Sequence, residues 1–377
     1  AYAAKIVNPG HVEEWKQHNT RHQDGDVRRF DEPIDNFGCT PRQVVRETVA
    51  AVERLGLPHA AHIHCNNLGL PGNYTTTLET MRAVEGRRAH FTHIQFHSYG
   101  GGEGDETTFN SRVPDLAAYF NAQKNLTCDV GQVIFGGTTS MTGDGPVGYY
   151  LSNLYRTKWA SIDTEQESGC GIAPIEYKNK SLVHALQWAI GLEWYLLVDD
   201  PWRVAMSTDH PNGGSFLAYP QIVRLLMDRT YRGDLLKTLP EEVRNRSVLG
   251  DLTREYTLSE IAIITRAAPA RMLGLAQKGH LGVGADADIT IYTPDPDKQK
   301  MFELPRHVIK AGEMVIENGE LRSAPIGRTL HVRPEYDPAI AGRLAPWFEK
   351  YYSIRFGNYP VSDAYLPRPS LVPCRGR

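Results

Sequence analysis

Between Lys5 and Asp209, short apolar runs alternate with helical patterns, and several of the runs close on His or Asp. Repeated strand–helix units restrict the fold to a parallel sheet flanked by helices, either open or closed into a barrel. Pro41–Arg54 is the clearest helix: Val44, Val45, Val49 and Val52 form one stripe, Thr40 is placed to cap its start and Gly56 to stop it. The same reading predicts helices over 75–84, 116–123 and 182–196, and strands over 59–65, 90–97, 126–135 and 204–208. In a barrel, chemistry sits at the C-terminal ends of the strands. The polar residues expected there are His64, His97, Asp129 and Asp209.

After Tyr256 the pattern changes. Residues 257–273 read as a helix that runs into a proline. The stretches GHLGVGADADITIY and HVIKAGEMVIENGEL follow, as short β segments broken by Gly and Asn-Gly. From Pro325 the chain is rich in proline and aromatics and reads as an irregular tail packed on a surface, suited to a partner. The expected division is a barrel over 1–273, a β-sandwich segment over 274–325 and a tail over 326–377.

Composition removes several classes. With 41 basic and 44 acidic residues the net charge is −3, so no global basic field points to nucleic acid. No apolar run approaches the ~18 residues of a membrane span. Cys39, Cys65, Cys128, Cys170 and Cys374 are odd in number, scattered and without a CxxC, which argues against a disulfide framework or zinc ribbon and for free thiols in a reducing cytoplasm. The 14 histidines, by contrast, cluster.

His62-Ile63-His64 places two imidazoles on one face of a strand, with Asn66 and Asn67 just past its end. His90, His93 and His97 repeat the pattern one unit later. On a regular strand His93 and His97 point to opposite faces, so His97 is taken for the site and His93 as structural. Asp209, in STDHPNGG, is either a turn former or a carboxylate that ligates a metal and accepts a proton; His210 beside it could orient a substrate. Asp129 is a weaker candidate. Lys5, among apolar neighbours, either snorkels or is a buried amine able to add carbon dioxide and become a metal-bridging carbamate. Nitrogen and oxygen donors at successive strand ends suit catalytic zinc. Two such ions about 3.5–4 Å apart activate water and polarise a carbonyl, which points to hydrolysis of an amide-like bond.

ARMLGLAQKGHLGVGADADITIY followed by HVIKAGEMVIENGEL resembles the C-terminal end of metal-dependent amidohydrolases. KIVNPGHVEEW, HIHCNNLGLPGNYTTTLETM, THIQFHSYGG, CDVGQV, MTGDGP and STDHPNGG resemble, more specifically, the family of amidohydrolase-type subunits of formylmethanofuran dehydrogenase, and most closely their bacterial counterpart in the formyltransferase/hydrolase complex. The resemblance runs from residue 1 to at least Tyr359. It implies an α/β fold, a TIM-like (β/α)8 barrel with a small β-sandwich, and a binuclear zinc site. It also implies a cytoplasmic complex with other subunits that hydrolyses or forms N-formylmethanofuran or formylmethylofuran. Carried over, Lys5 matches the carboxylated lysine of the fourth strand, His64 the fifth-strand histidine, His97 the sixth and Asp209 the eighth-strand aspartate. Asn66, Asn67 and His210 are substrate-side candidates.

The family's first-strand HxH has no counterpart here. His62 and His64 cannot supply it, because 145 residues from His64 to Asp209 are too few for strands one to eight of a ~250-residue barrel. The expectation is therefore a partial barrel, strands four to eight, truncated before Ala1 and inactive by itself. The rival readings are a generic amidohydrolase, hydantoinase-like or deacetylase-like, and a non-catalytic scaffold protein.

Overall fold

The computed structural model describes residues 2–9, 30–33, 38–102, 106–142, 171–351, 355–360, 362–366 and 368–375. MTGDGP and KIVNPGHVEEW lie partly, and Cys170 wholly, outside the described residues; Cys39, Cys65, Cys128 and Cys374 are free. Five parallel strands form one sheet in spatial order β1 (Lys5–Val7), β2 (Ala61–His64), β3 (Ala89–Phe91), β4 (Leu126–Asp129) and β7 (Val204–Ala205). Between β4 and β7 in the chain, β5 (Gly136–Thr142) and β6 (Gly171–Tyr177) pair antiparallel as a separate ribbon.

Register explains why this sheet can carry a site. Ile6, Ile63, Phe91, Cys128 and Val204 align across the five strands and are all buried in the hydrophobic core. One residue earlier, Lys5, His62, His90 and Thr127 align on the opposite face. Strand alternation thus sends one face to the helices and leaves the other polar. The strands are shorter than the sequence predicts. The second ends at Phe91 rather than His97, the third at Asp129 rather than Phe135, and the fourth at Ala205.

The connecting helices are α1 (Pro41–Arg54), α2 (Tyr74–Ala83), α3 (Val113–Ala122) and α4 (Leu182–Leu197). α1 has the predicted bounds and a full capping box, in which the Thr40 hydroxyl accepts from the Gln43 N–H and the Gln43 side chain accepts from the Thr40 N–H. α4 is buried nearly all round; Trp194 is fully buried and its Nε1 donates to Ser98 Oγ at 2.7 Å. Trp194→Ala is expected to cost about 3–5 kcal/mol through cavity formation and a lost bond, read as a lowered urea midpoint at unchanged m-value.

The segment expected as one helix over 257–273 is helical, but Ile263–Ala267 is wound as a π turn just before Pro269. The wider turn accommodates a ring that would clash with an α-helical carbonyl, and it leaves carbonyls free. One of them, Ile264 O, accepts from Met206 N–H at 2.9 Å and so anchors the chain between β7 and Asp209.

Beyond it, β8 (Ile289–Ile291), β9 (His307–Lys310), β10 (Glu313–Glu317) and β11 (Glu320–Leu321) form an antiparallel sheet, as the Gly and Asn-Gly signals imply. The tail is less irregular than expected. It contains a 12-residue helix, Ile340–Tyr351, and a short parallel ladder that joins Leu330–His331 to Ser370–Leu371, with Val332 and Val372 buried in the main core. Proline content misled here, because Pro346 is accommodated inside that helix. No helix of the described residues is long and apolar enough to cross a membrane.

Candidate metal centre

His64 closes β2 on the polar face and is buried. The chain then turns through Asn66 and Asn67, the latter in the left-handed region at φ 62°. Both asparagines are buried, and their amides bond to protein: Asn66 Nδ2 donates to Pro9 O at 3.3 Å and Asn67 Nδ2 to Thr76 Oγ1 at 3.1 Å. Asn67 is thereby turned to the start of α2, while Asn66 Oδ1 has no hydrogen-bond partner.

The largest departure from the sequence reading is at β3. Because the strand ends at Phe91, the parity that separated His93 from His97 does not apply. His93 takes φ 36° and breaks the strand, and a 3-10 turn over Ile94–His97 follows. This brings His93, read as structural, beside His64 with ring centroids 4.6 Å apart. His97 lies 5.1 Å from His64 and 5.2 Å from His93. One ligand atom from each of the three lies within 4.8 Å of the other two. His93 Nδ1 and both His97 ring nitrogens are buried without hydrogen-bond partners, although the Asn66 backbone is near His97. Burial, and then the neighbouring His93, push His97 well below the usual imidazole range, toward the neutral form in which one ring nitrogen has a lone pair to offer.

Asp209 reaches the same place from β7. It has φ 49°, and its Oδ2 accepts from Asn212 Nδ2 at 2.8 Å. Burial raises its pKa, and the nearby charges of His93 and Lys5 oppose that rise. Gly131 is what lets the two approach. At φ 71°, a Cβ there would sit 2.6 Å from His93 Cβ and 3.4 Å from Asp209 Cβ. The requirement for Gly131 is invisible in the sequence, where it is one glycine among 34. Lys5, on the edge strand, feels Asp209 and Asp129. Burial lowers its amine pKa, and those two carboxylates act the other way. His210 stands apart at the rim, exposed, with its ring edge-on to Phe216 at 4.9 Å.

Asp129 has more to do than the sequence suggested. Its Oδ1 accepts from His93 N–H at 3.1 Å and from Ser207 Oγ at 2.5 Å, and its Oδ2 accepts from His90 Nε2 at 3.1 Å. Burial works against its charge, but the bonds from His90 and Ser207 hold the carboxyl well below the usual range. It fixes the strained His93 backbone to β4 and to the chain after β7.

Three of the predicted residues, His64, His97 and Asp209, therefore come together just past the C-terminal ends of the parallel strands, and His93 joins them; Lys5 opens β1 in register with His62 and is within electrostatic reach of Asp209. The buried nitrogens of His93 and His97 that lack hydrogen-bond partners, beside the Asp209 carboxylate, form a donor set that fits zinc.

The chain is similar to known proteins along most of its length. The Amidohydro_3 pattern of the amidohydrolase family matches residues 3–316. Protein FwdA of Methanocaldococcus jannaschii is 42% identical over 387 residues, covering 97% of this chain and 67% of that protein. The FhcA component of the formyltransferase/hydrolase complex Fhc of Methylorubrum extorquens is 38% identical over 367 residues, covering 96% and 66%. The crystal structure of the Fhc complex (FhcABCD) from M. extorquens with methylofuran superposes with a TM-score of 0.91 at 37% identity, over 100% of this chain and 69% of that one. The chain thus spans about two thirds of the length of these relatives. On the match across most of its length and on these relatives, the chain belongs to the amidohydrolase family.

Proposed function

We propose that this chain carries the hydrolytic site of a formyltransferase/hydrolase-type complex. It would cleave the N-formyl amide of a formylated furan amine, of the methanofuran or methylofuran kind, to formate and the free amine. The observation that carries the reading is the convergence of His64, His93 and Asp209 at one end of a sheet, with Lys5 in electrostatic reach of Asp209, in a chain that superposes on a relative crystallised with methylofuran. The site would hold two zinc ions, with Lys5 as a carbamate and His64, His93, His97 and Asp209 as the other candidate ligands. When bound, such a pair supplies an activated water and a polarised carbonyl.

The protein's own part is proton handling and placement. Asp209 takes a proton from the attacking water and hands it to the departing amine nitrogen. Asn212 orients the Asp209 carboxylate. Asn66 Oδ1, buried with no partner, is the acceptor left for a substrate N–H, and His210 lies at the mouth. Burial shifts the Lys5 amine downward, the direction that carbamate formation needs, while Asp209 and Asp129 oppose it. Other subunits of the complex, a cytoplasmic setting and the division at 273/274 and 325/326 belong to the same proposal, with the tail as a contact to a partner subunit.

The test is formate release from the N-formylated furan amine by the chain in its native complex, with a hydantoin and an N-acetyl amide as comparators. Formate from the first substrate alone supports the proposal. Turnover of hydantoin or acetamide substrates instead would make it a generic amidohydrolase, and no turnover with under one zinc per chain would leave a scaffold. Lys5→Met is expected to lower zinc content and abolish turnover together, measured by elemental analysis and formate assay.

A further inference from the structure

One layer below the site, toward the N-terminal ends of the strands, lies a second donor set that the proposed reaction does not use. His62, His90 and Asp129 each offer one ligand atom within 4.8 Å of the other two. His62 and His90 are register partners on β2 and β3, and Asp129 ends β4 beside them. We propose that His62, His90 and Asp129 form a separate divalent-cation site of the zinc class, which ties β2, β3 and β4 together beneath the reaction centre.

The hydrogen bonds around the cluster prepare it for a metal. His59 Nδ1 lies 2.9 Å from Met272 O, and a carbonyl only accepts, so that nitrogen carries the proton. His59 Nε2 is then an acceptor, and His62 Nδ1, 3.3 Å away, donates to it. His62 Nε2 is left as a bare lone pair. On the other strand His90 Nδ1 lies 3.0 Å from Thr127 Oγ1, which in turn reaches Ala89 O at 3.4 Å. When a cation replaces the proton that His90 Nε2 gives to Asp129, the tautomer shifts, so that Nδ1–H donates to Thr127 and Thr127 to the carbonyl. Both imidazoles are thus backed by relays that end on backbone carbonyls, the arrangement that fixes tautomer and ring direction in metal-ligating histidines.

The spacing agrees. His90 Nε2 and Asp129 Oδ2 are 3.1 Å apart, close to the roughly 3.3 Å between two ligands of a tetrahedral zinc. Asp129 Oδ1 is already held by His93 N–H and Ser207 Oγ, which leaves Oδ2 as the ligating oxygen.

The test is independent of turnover. The protein, stripped with chelator and reloaded with zinc, is crystallised, and diffraction is recorded at the zinc edge. The expected result is an anomalous peak about 2.0–2.2 Å from His62 Nε2, His90 Nε2 and Asp129 Oδ2. His62→Gln should lower zinc content by one ion per chain and leave the peaks at the His64–His93 cluster in place. Thr127→Val, which keeps all three ligands, should weaken zinc at this position by roughly 10–100-fold. An anomalous map empty at this position, with equal zinc content in wild type and both variants, would overturn the proposal and leave the cluster a hydrogen-bond network. Failure of the formyl hydrolysis itself would not touch either readout.

Discussion

His93→Ala is expected to strip the centre of a metal ion and to abolish formate release, while the same change at His97 leaves measurable activity. The difference follows from what each ring touches. His93 lies edge-on to His64 and within electrostatic reach of Asp209, and Gly131 leaves the space between His93 and Asp209 clear of a side chain. Its backbone is held in a left-handed conformation by Asp129. A conformation that costs of order 1–3 kcal/mol persists where the surroundings impose it, and such positions concentrate at functional sites. His97 has no comparable framing; it stacks on His93 from a 3-10 turn and is fully buried. As a candidate ligand framed less tightly than His93, His97 is expected to cost roughly 10–100-fold in metal affinity when replaced by Ala, the range seen for loss of a supporting group. His93→Ala should exceed it. Isothermal titration of the stripped protein with zinc, together with the formate assay, separates the two. Equal losses would mean that His97, the histidine favoured by strand parity, is as much a ligand as His93.

Strand parity misplaced His93 for a physical reason. Helix positions were legible because a 3.6-residue stripe and a cap are local signals, and α1 emerged with its predicted bounds. The parallel βα order was legible because each apolar run is followed by a helix. The positions of His64 and Asp209 at strand ends were legible because each follows an apolar run and precedes polar residues. His93 was lost because periodicity says where a strand begins better than where it ends. One residue with φ 36° turned a parity argument against a side chain that the fold brings to the cluster. That backbone conformation depends on Asp129 and on the space at Gly131, both distant in sequence, so no window around His93 contained the signal. His62 and His64 illustrate the complementary limit. Alternation correctly put both on one face, but a shared face is not a shared site. Two residues along a strand is about 6–7 Å, enough to seat the rings in different layers.

Asp209→Asn should leave the fold and most of the metal in place and lower kcat by about 10²–10⁴, the usual contribution of a positioned proton acceptor. That corresponds to roughly 2.7–5.5 kcal/mol of barrier. Asparagine is nearly isosteric, and its carbonyl oxygen still accepts from Asn212 Nδ2, so the φ 49° turn is retained. The amide lacks the basic oxygen that takes a proton from water and returns it to the amine nitrogen. The three imidazoles remain, and an amide oxygen can still ligate, so zinc content should fall by less than one ion per chain. KM should move by less than threefold, because Asp209 lies against the histidine cluster and not at the rim where His210 and Phe216 stand. The decisive comparison is with Asp209→Ala. If the carboxylate mattered only as a ligand, Asn would preserve turnover roughly in proportion to retained zinc and only Ala would be inactive. If it carries the proton, Asn and Ala are equally slow per bound zinc, although they differ in metal content. Turnover normalised to zinc across the two variants therefore distinguishes a ligand from a proton carrier.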